Sequence, residues 1–218
     1  MSILNTLKKD LGSSKDTKRE TNPVIQAQIQ EELDFWGGGY VTEVDPSAYP
    51  RLKKYWDYVN FGSNWTPSGT PWSSAFISYA LRGQDFPKTA SHYKYIEQII
   101  NNPNSGWEAF DLEKTDNLVL NVGDVLIRPR TGANTDQYST HGDLVYKIAN
   151  GKAQLVGGNV SNSAKVVKYI GVDENNRATN SVFPYVVILK KNSKKALGML
   201  PIFLAIGALT FFGLRKRK

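Results

Sequence analysis

Two short stretches hold residue types that chemistry needs. Pro71-Trp72-Ser73-Ser74-Ala75-Phe76-Ile77-Ser78 reads as a helix start, and Thr140-His141-Gly142-Asp143-Leu144-Val145 reads as the entry to a strand. A hydroxyl at a helix N-terminus lies where the helix dipole and free backbone N–H groups can hold a developing oxyanion. An imidazole on a facing strand can then remove its proton. Pattern alone also gives each residue a plainer role: Ser73 beside Pro71 is an ordinary helix N-cap, and His141 a strand-end histidine with its hydrogen bonds satisfied. Asp143 falls two residues after His141, on the same strand face, where it is expected to meet solvent, with assistance to a metal as the alternative. His92 follows Ser91 at another helix start, placed either to brace the site or to touch ligand.

The elements that must position these residues can be read from periodicity. Asn22-Pro23 is a cap and first-turn pair, and Ile25, Ile29, Leu33 and Trp36 recur at helical spacing until Gly37-Gly38-Gly39 ends the pattern. A second helix is expected from near Pro50, with Leu52, Tyr55, Trp56 and Val59 as its apolar stripe. A third is expected from Ser73 to Arg82 and a fourth from Thr89 to Asn101. After Asn117 the period becomes that of strands: 117–120, 124–128, 143–149, 152–156, 165–170 and 185–190. Asn150-Gly151 predicts a type I′ hairpin between two of them. Helices first and antiparallel strands afterwards predict an α+β domain with helices on one face of a small sheet. The polar segment from about 130 to 140 is a loop between strands, where binding sites are often shaped.

Three regions follow. Residues 1–21 carry Ile3, Leu7 and Leu11 at helical spacing and then Gly12-Ser13-Ser14, a short amphipathic helix and a linker. Residues 22–190 form the α+β domain. Residues 191–218 form a C-terminal transmembrane anchor, because 196–214 carry no charge and, as a helix, reach about 28 Å, near the hydrocarbon thickness. Lys190, Lys191, Lys194 and Lys195 precede that stretch and Arg215, Lys216, Arg217 and Lys218 follow it, all suited to lipid headgroups. With four cations on each flank, the orientation in the membrane stays open.

Those eight cations account for the basic character. Of 27 Lys and Arg, 19 remain once they are set aside, against 20 Asp and Glu. The positive charge is therefore membrane chemistry and leaves no nucleic-acid footprint. The start of the chain lacks the apolar run of a secretory signal, so export would use the C-terminal helix or a dedicated machine. Cysteine is absent and there are two His, which excludes disulfides, thiolate metal sites and a three-histidine zinc centre. No metal or other cofactor is expected, and the oligomeric state is open.

The sequence resembles the papain-like peptidoglycan hydrolases of the NlpC and CHAP type, and most closely an uncharacterised bacterial and phage branch with a Pro-Trp-Ser-Ala-Ala-Phe-Ile-Ser signature. The resemblance covers about residues 45–190. It rests on Tyr55-Trp56, Pro71 to Ser78, Ser91 to Ile96, Gly123-Asp124-Val125, His141 to Val145 and Gly157-Gly158-Asn159-Val160. It implies a papain-like domain in which Ser73 stands where relatives carry a nucleophilic Cys. His141 stands for the histidine, and Asn159 is the candidate polar residue that orients the imidazole from the next strand. A serine hydroxyl is far harder to ionise than a thiol. Either His141 activates Ser73 as a general base, or the hydrolase fold has become a binding module. Trp72, Ser74, His92 and Asp143 are the expected substrate contacts, with the N–H groups near Ser73 and Ser74 as oxyanion donors.

All five Trp lie between residues 36 and 107. Aromatic faces suit sugar rings and small cores equally. Trp36 and Trp56 are expected in the core and Trp72 in the groove. The leading expectation is a membrane-anchored cell-wall hydrolase acting on the peptide stems of peptidoglycan through an acyl-enzyme, in a bacterial envelope or in lysis or entry by a membrane-containing phage. A noncatalytic peptidoglycan-binding or virion assembly protein is the second expectation. The third is a muramidase or lytic transglycosylase using Glu31, Glu32 or Glu43, although their spacing does not place two carboxylates across one cleft.

Overall fold

The computed structural model describes residues 18, 22–115, 117–130 and 139–192. The expected anchor at 196–214 and the amphipathic N-terminal helix lie outside these residues. Among the described residues, no helix is long and apolar enough to cross a membrane.

Four helices precede most of the sheet: α1 (Pro23–Phe35), α2 (Tyr49–Tyr58), α3 (Ser73–Ala80) and α4 (His92–Asn101). Two have side-chain caps, Asn22 accepting from the Ile25 N–H as expected and Ser91 accepting from the Lys94 N–H. The cap at Ser91 moves the start of α4 from the expected Thr89 to His92. Trp72 takes the N-cap position of α3 with no side-chain capping bond, so Ser73 is the first helical residue and not the cap.

Six strands form one sheet in the order β1-β6-β2-β3-β4-β5, with every pairing antiparallel. They are β1 (Trp107–Asp111), β2 (Val125–Pro129), β3 (Thr140–Ala149), β4 (Lys152–Val160), β5 (Ser163–Gly171) and β6 (Val187–Lys191). Asn150 and Gly151 both have positive φ, +52° and +69°, as a type I′ turn demands, and join β3 to β4. Two expectations fail. Residues 117–120 make only an isolated bridge, Val119 to Arg177, and no strand. The edge strand β1 was not anticipated, because its five residues show no clean alternation: its burial is nearly continuous and the strand exists through its pairing with β6.

The sheet is buried on both faces. Val125, Ile127, Leu144, Tyr146, Val156, Val187 and Leu189 share a core with the helices. Leu126, Val145, Leu155, Ile170 and Ile188 share a second core on the opposite face with Phe110, Leu120 and Tyr185. Helices thus cover one face, as expected, while irregular segments around 118–120 and 172–185 cover the other. α3 lies close on the sheet because Gly158 leaves room: a Cβ there would stand 2.5 Å from Cγ of Phe76. Trp36 and Trp56 are in the core as predicted. Trp72 is there too, stacked on Trp36 with ring centroids 4.7 Å apart.

Candidate functional site

The alternation along β3 decides which side of the sheet each polar residue takes. Leu144 and Tyr146 face the helices, Val145 faces the opposite core, and His141 and Asp143 share the parity of Val145. β3 begins at Thr140, three residues before the expected start, so both side chains are held by strand pairing; His141 lies across from Arg128 and Asp143 across from Leu126.

Asp143 is 1 % exposed, the reverse of the expected solvent contact. Its Oδ1 is 3.2 Å from His141 Nε2, and its Oδ2 accepts from the Tyr185 hydroxyl at 2.7 Å. Arg128 Nε approaches the same Oδ2 at 3.9 Å. A carboxylate buried this deeply is stable only with such partners. Gly157 makes room for it on the neighbouring strand, since a Cβ there would collide with Asp143 Oδ1. Burial, followed by the charge of Asp143, holds the Tyr185 phenol far above its ordinary range, so it stays a proton donor to the carboxylate.

This arrangement gives His141 a defined tautomer. The carboxylate accepts the Nε2 proton, which leaves the Nδ1 lone pair to act as a base. The resemblance implies that orienting role for Asn159, whereas the side chain paired with His141 in the structure is Asp143. Asn159 lies instead at the start of α3: with its amide oxygen turned to the helix it accepts from the Trp72 backbone N–H at 3.2 Å and donates to Glu43 Oε2 at 3.2 Å. Glu43 also accepts from Trp72 Nε1 at 2.8 Å. Trp72 is therefore a fully buried link between Glu43 and the Trp36 ring, and not a wall of a groove.

Ser73 and Ser74 are buried at the first turn of α3, Ser73 at 1 % exposure. The Ser74 carbonyl accepts from the Tyr95 hydroxyl, whose oxygen is also 3.1 Å from Ser78 Oγ. One turn on, Phe76 and Ile77 pack against the helix-side surface of β4 and β3 at Gly158 and Gly142. Among the described residues no hydrogen bond joins Ser73 to His141 or to Asn159. The structure thus brings His141 and Asp143 together and gathers Trp72, Asn159 and Ser73 at the start of α3.

His92 connects them. Its ring abuts Gly142, where a Cβ would be 2.8 Å from His92 Cδ2, and its centroid is 5.7 Å from that of His141. Nε2 is buried without a partner among the described residues. Burial, then the nearby charges of His141 and Arg130, depress its pKa well below 6.5, while a hydrogen bond with the Thr140 backbone acts in the opposite direction. The folded protein therefore resists a proton that the unfolded chain accepts. Stability from this group is complete above about pH 6.5 and is lost progressively as pH falls from there towards the depressed folded value. Thermal melts from pH 7.5 to 5.0 are expected to show a declining midpoint, with a flatter decline in His92→Gln; equal slopes would refute the assignment.

The carboxylates considered for glycosidase chemistry are already engaged. Glu32 is fully buried, accepts from the Tyr55 hydroxyl and pairs with Arg51 at 3.0 Å, and Glu31 pairs with Arg51 at 2.8 Å and Arg82 at 2.7 Å. Burial raises the pKa of Glu32. Among the described residues no three His, Asp or Glu gather as a metal site. Arg128 and Tyr185 were not singled out from the sequence, and no local pattern marks them, since Arg128 meets Asp143 from the neighbouring strand and Tyr185 from the segment before β6. The profile of a family described as uncharacterized protein conserved in bacteria (DUF2272) matches residues 60–190. No curated protein and no solved structure matches the chain.

Proposed function

The chain belongs to this family of uncharacterized proteins conserved in bacteria, and we propose that it is a membrane-anchored, papain-like cell-wall hydrolase acting on the peptide stems of peptidoglycan. The observation that carries the reading is the His141–Asp143 pair: a buried carboxylate fixes Nε2 of a histidine at the mouth of a strand and frees Nδ1 as a base. The order of motifs from Pro71-Trp72-Ser73 through Gly157-Gly158-Asn159 supports the peptidoglycan assignment, and the uncharged run at 196–214 with its basic flanks supports the anchor.

In this mechanism Ser73 Oγ attacks the stem carbonyl as its proton passes to His141 Nδ1. N–H groups of the first turn of α3 receive the oxyanion. The imidazolium, stabilised by Asp143, returns the proton to the departing amine, and water then hydrolyses the acyl-enzyme by the same route. Ser73 and His141 must approach one another for this, and such contacts often tighten only when substrate is bound.

A second reading draws on a specific observation. Ser73 is buried and, among the described residues, has no hydrogen bond to His141, as expected of a wall-binding module that keeps the frame without the chemistry. Mass spectrometry of purified peptidoglycan after incubation with the protein separates the two. New peptide termini that vanish in Ser73→Ala support the hydrolase. Wall that is bound and uncleaved by both proteins supports the module. New termini that persist in Ser73→Ala remove Ser73 from the chemistry.

A further inference from the structure

The segment after α2 builds a surface cleft of about 470 Å³, lined by Tyr49, Lys53, Asp57, Asn60, Ser63 and Trp65 among others. Its volume falls in the range of small-ligand sites. Its wall carries Tyr49 stacked on Trp65 at 5.0 Å, and Trp65 is backed by the buried Trp56 at 6.0 Å. Tyr49 is nevertheless 52 % exposed. A ring anchored at one edge and open at the other is an apolar platform that folding alone leaves unused.

The rest of the lining is polar and placed around that platform. Lys53 and Asp57 form an ion pair at 2.6 Å, with both side chains more than half exposed. The Asn60 amide and the Ser63 hydroxyl complete a rim of donors and acceptors. The cleft is preformed. The N–H of Phe61 bonds the Trp56 carbonyl and that of Asn60 bonds the Asp57 carbonyl, folding the segment back on the end of α2. Little ordering would therefore be required on binding.

From this combination we infer that the cleft is a glycan subsite taking one or two pyranose rings, with the C–H face of a sugar on Tyr49 and Trp65 and its hydroxyls on Lys53, Asp57, Asn60 and Ser63. Flat aromatic rings beside a charged donor–acceptor pair match a ligand that is apolar on one face and hydroxyl-rich at its edge. The cleft shares no residue with the His141–Asp143 site, so the inference stands whether or not stem peptides are cleaved.

Trp65 makes the test direct, because the other four Trp are buried and only Trp65 lines the cleft. The full 218-residue chain is titrated with an N-acetylglucosamine tetramer, with maltotetraose and with a sugar-free stem pentapeptide, following Trp fluorescence and heat. Saturable binding by at least one oligosaccharide is expected. Tyr49→Ala should weaken it about tenfold, Asp57→Asn should weaken it less, and His141→Ala should leave it unchanged. Tyr49 is half-exposed, so its replacement should leave the fold intact, with circular dichroism as the check. Binding unaltered in Tyr49→Ala, binding only by the pentapeptide, or no saturable response to any sugar overturns the inference. Stem cleavage retained in Tyr49→Ala would show that failure here is separate from failure of the hydrolase reading.

Discussion

On the proposed hydrolase reading, replacing Asp143 by asparagine is expected to lower release of stem peptides about a thousandfold, nearly as much as removing His141 itself. Asp143 Oδ1 lies 3.2 Å from His141 Nε2, and an ionised carboxylate can only accept there, a pairing in which a neutral imidazole keeps its lone pair on Nδ1. An asparagine amide can present its NH₂ to Nε2 instead, which draws the ring proton to Nδ1 and removes the base while conserving size. Loss of a positioned general base typically costs 10²–10⁴ in rate. The fold should suffer less, since an amide oxygen still accepts from Tyr185, whose hydroxyl is 2.7 Å from Oδ2. The measurement is the rate of new amine termini from purified peptidoglycan for wild type, Asp143→Asn and His141→Ala. Full activity in Asp143→Asn would refute the tautomer argument. Loss in His141→Ala alone would leave His141 as the base but transfer its positioning elsewhere. If wild type releases nothing, the binding reading replaces the hydrolase.

The largest stability effect is expected far from that site, at the buried pair of Lys190 and Asp124. Lys190 Nζ is 2.7 Å from Asp124 Oδ2 and also donates to the Val119 carbonyl, with both residues nearly inaccessible. The same Oδ2 accepts from the Asn121 N–H at 2.8 Å, so one ion pair ties β6 to the turn that leads into β2. Lys190→Ala leaves a buried carboxylate without its counter-charge, a loss of about 3–5 kcal/mol. For a domain of this size that is on the order of 10 °C in Tm. The double replacement Asp124→Asn with Lys190→Met should be markedly milder, because it removes the charge along with its partner. Chemical denaturation of the three proteins checks this; a loss below about 1 kcal/mol in Lys190→Ala, or a double variant as unstable as the single, would show that the pair contributes little.

The position of Lys190 also marks the limit of local reading. It was grouped with the cations of the membrane flank, where sequence places it beside Lys191, Lys194 and Lys195. In the structure its side chain turns inwards to a carboxylate 66 residues away. Periodicity reports which face of a strand a residue occupies but not which distant group waits there.

What the sequence determined by itself was whatever short-range physics controls. Apolar spacing and the cap at Asn22 placed the helices, Asn150-Gly151 specified a left-handed turn and with it the β3–β4 hairpin, and the order of elements gave the α+β class. The motifs likewise pointed to Ser73, His141 and Asn159 as residues to examine. Tertiary structure alone decided their relations. It gave His141 a partner in Asp143, supported by Tyr185 from 42 residues further along the chain, and it turned Asn159 to Trp72 and Glu43. It buried Trp72 on Trp36 and left Trp65 at the surface, though both are tryptophans in one polar, Gly- and Pro-punctuated stretch. The reason is the same in each case. Helix and turn preferences are settled by neighbours within about four residues, whereas a buried carboxylate or indole is settled by whichever partners the packed sheet brings across from elsewhere in the chain.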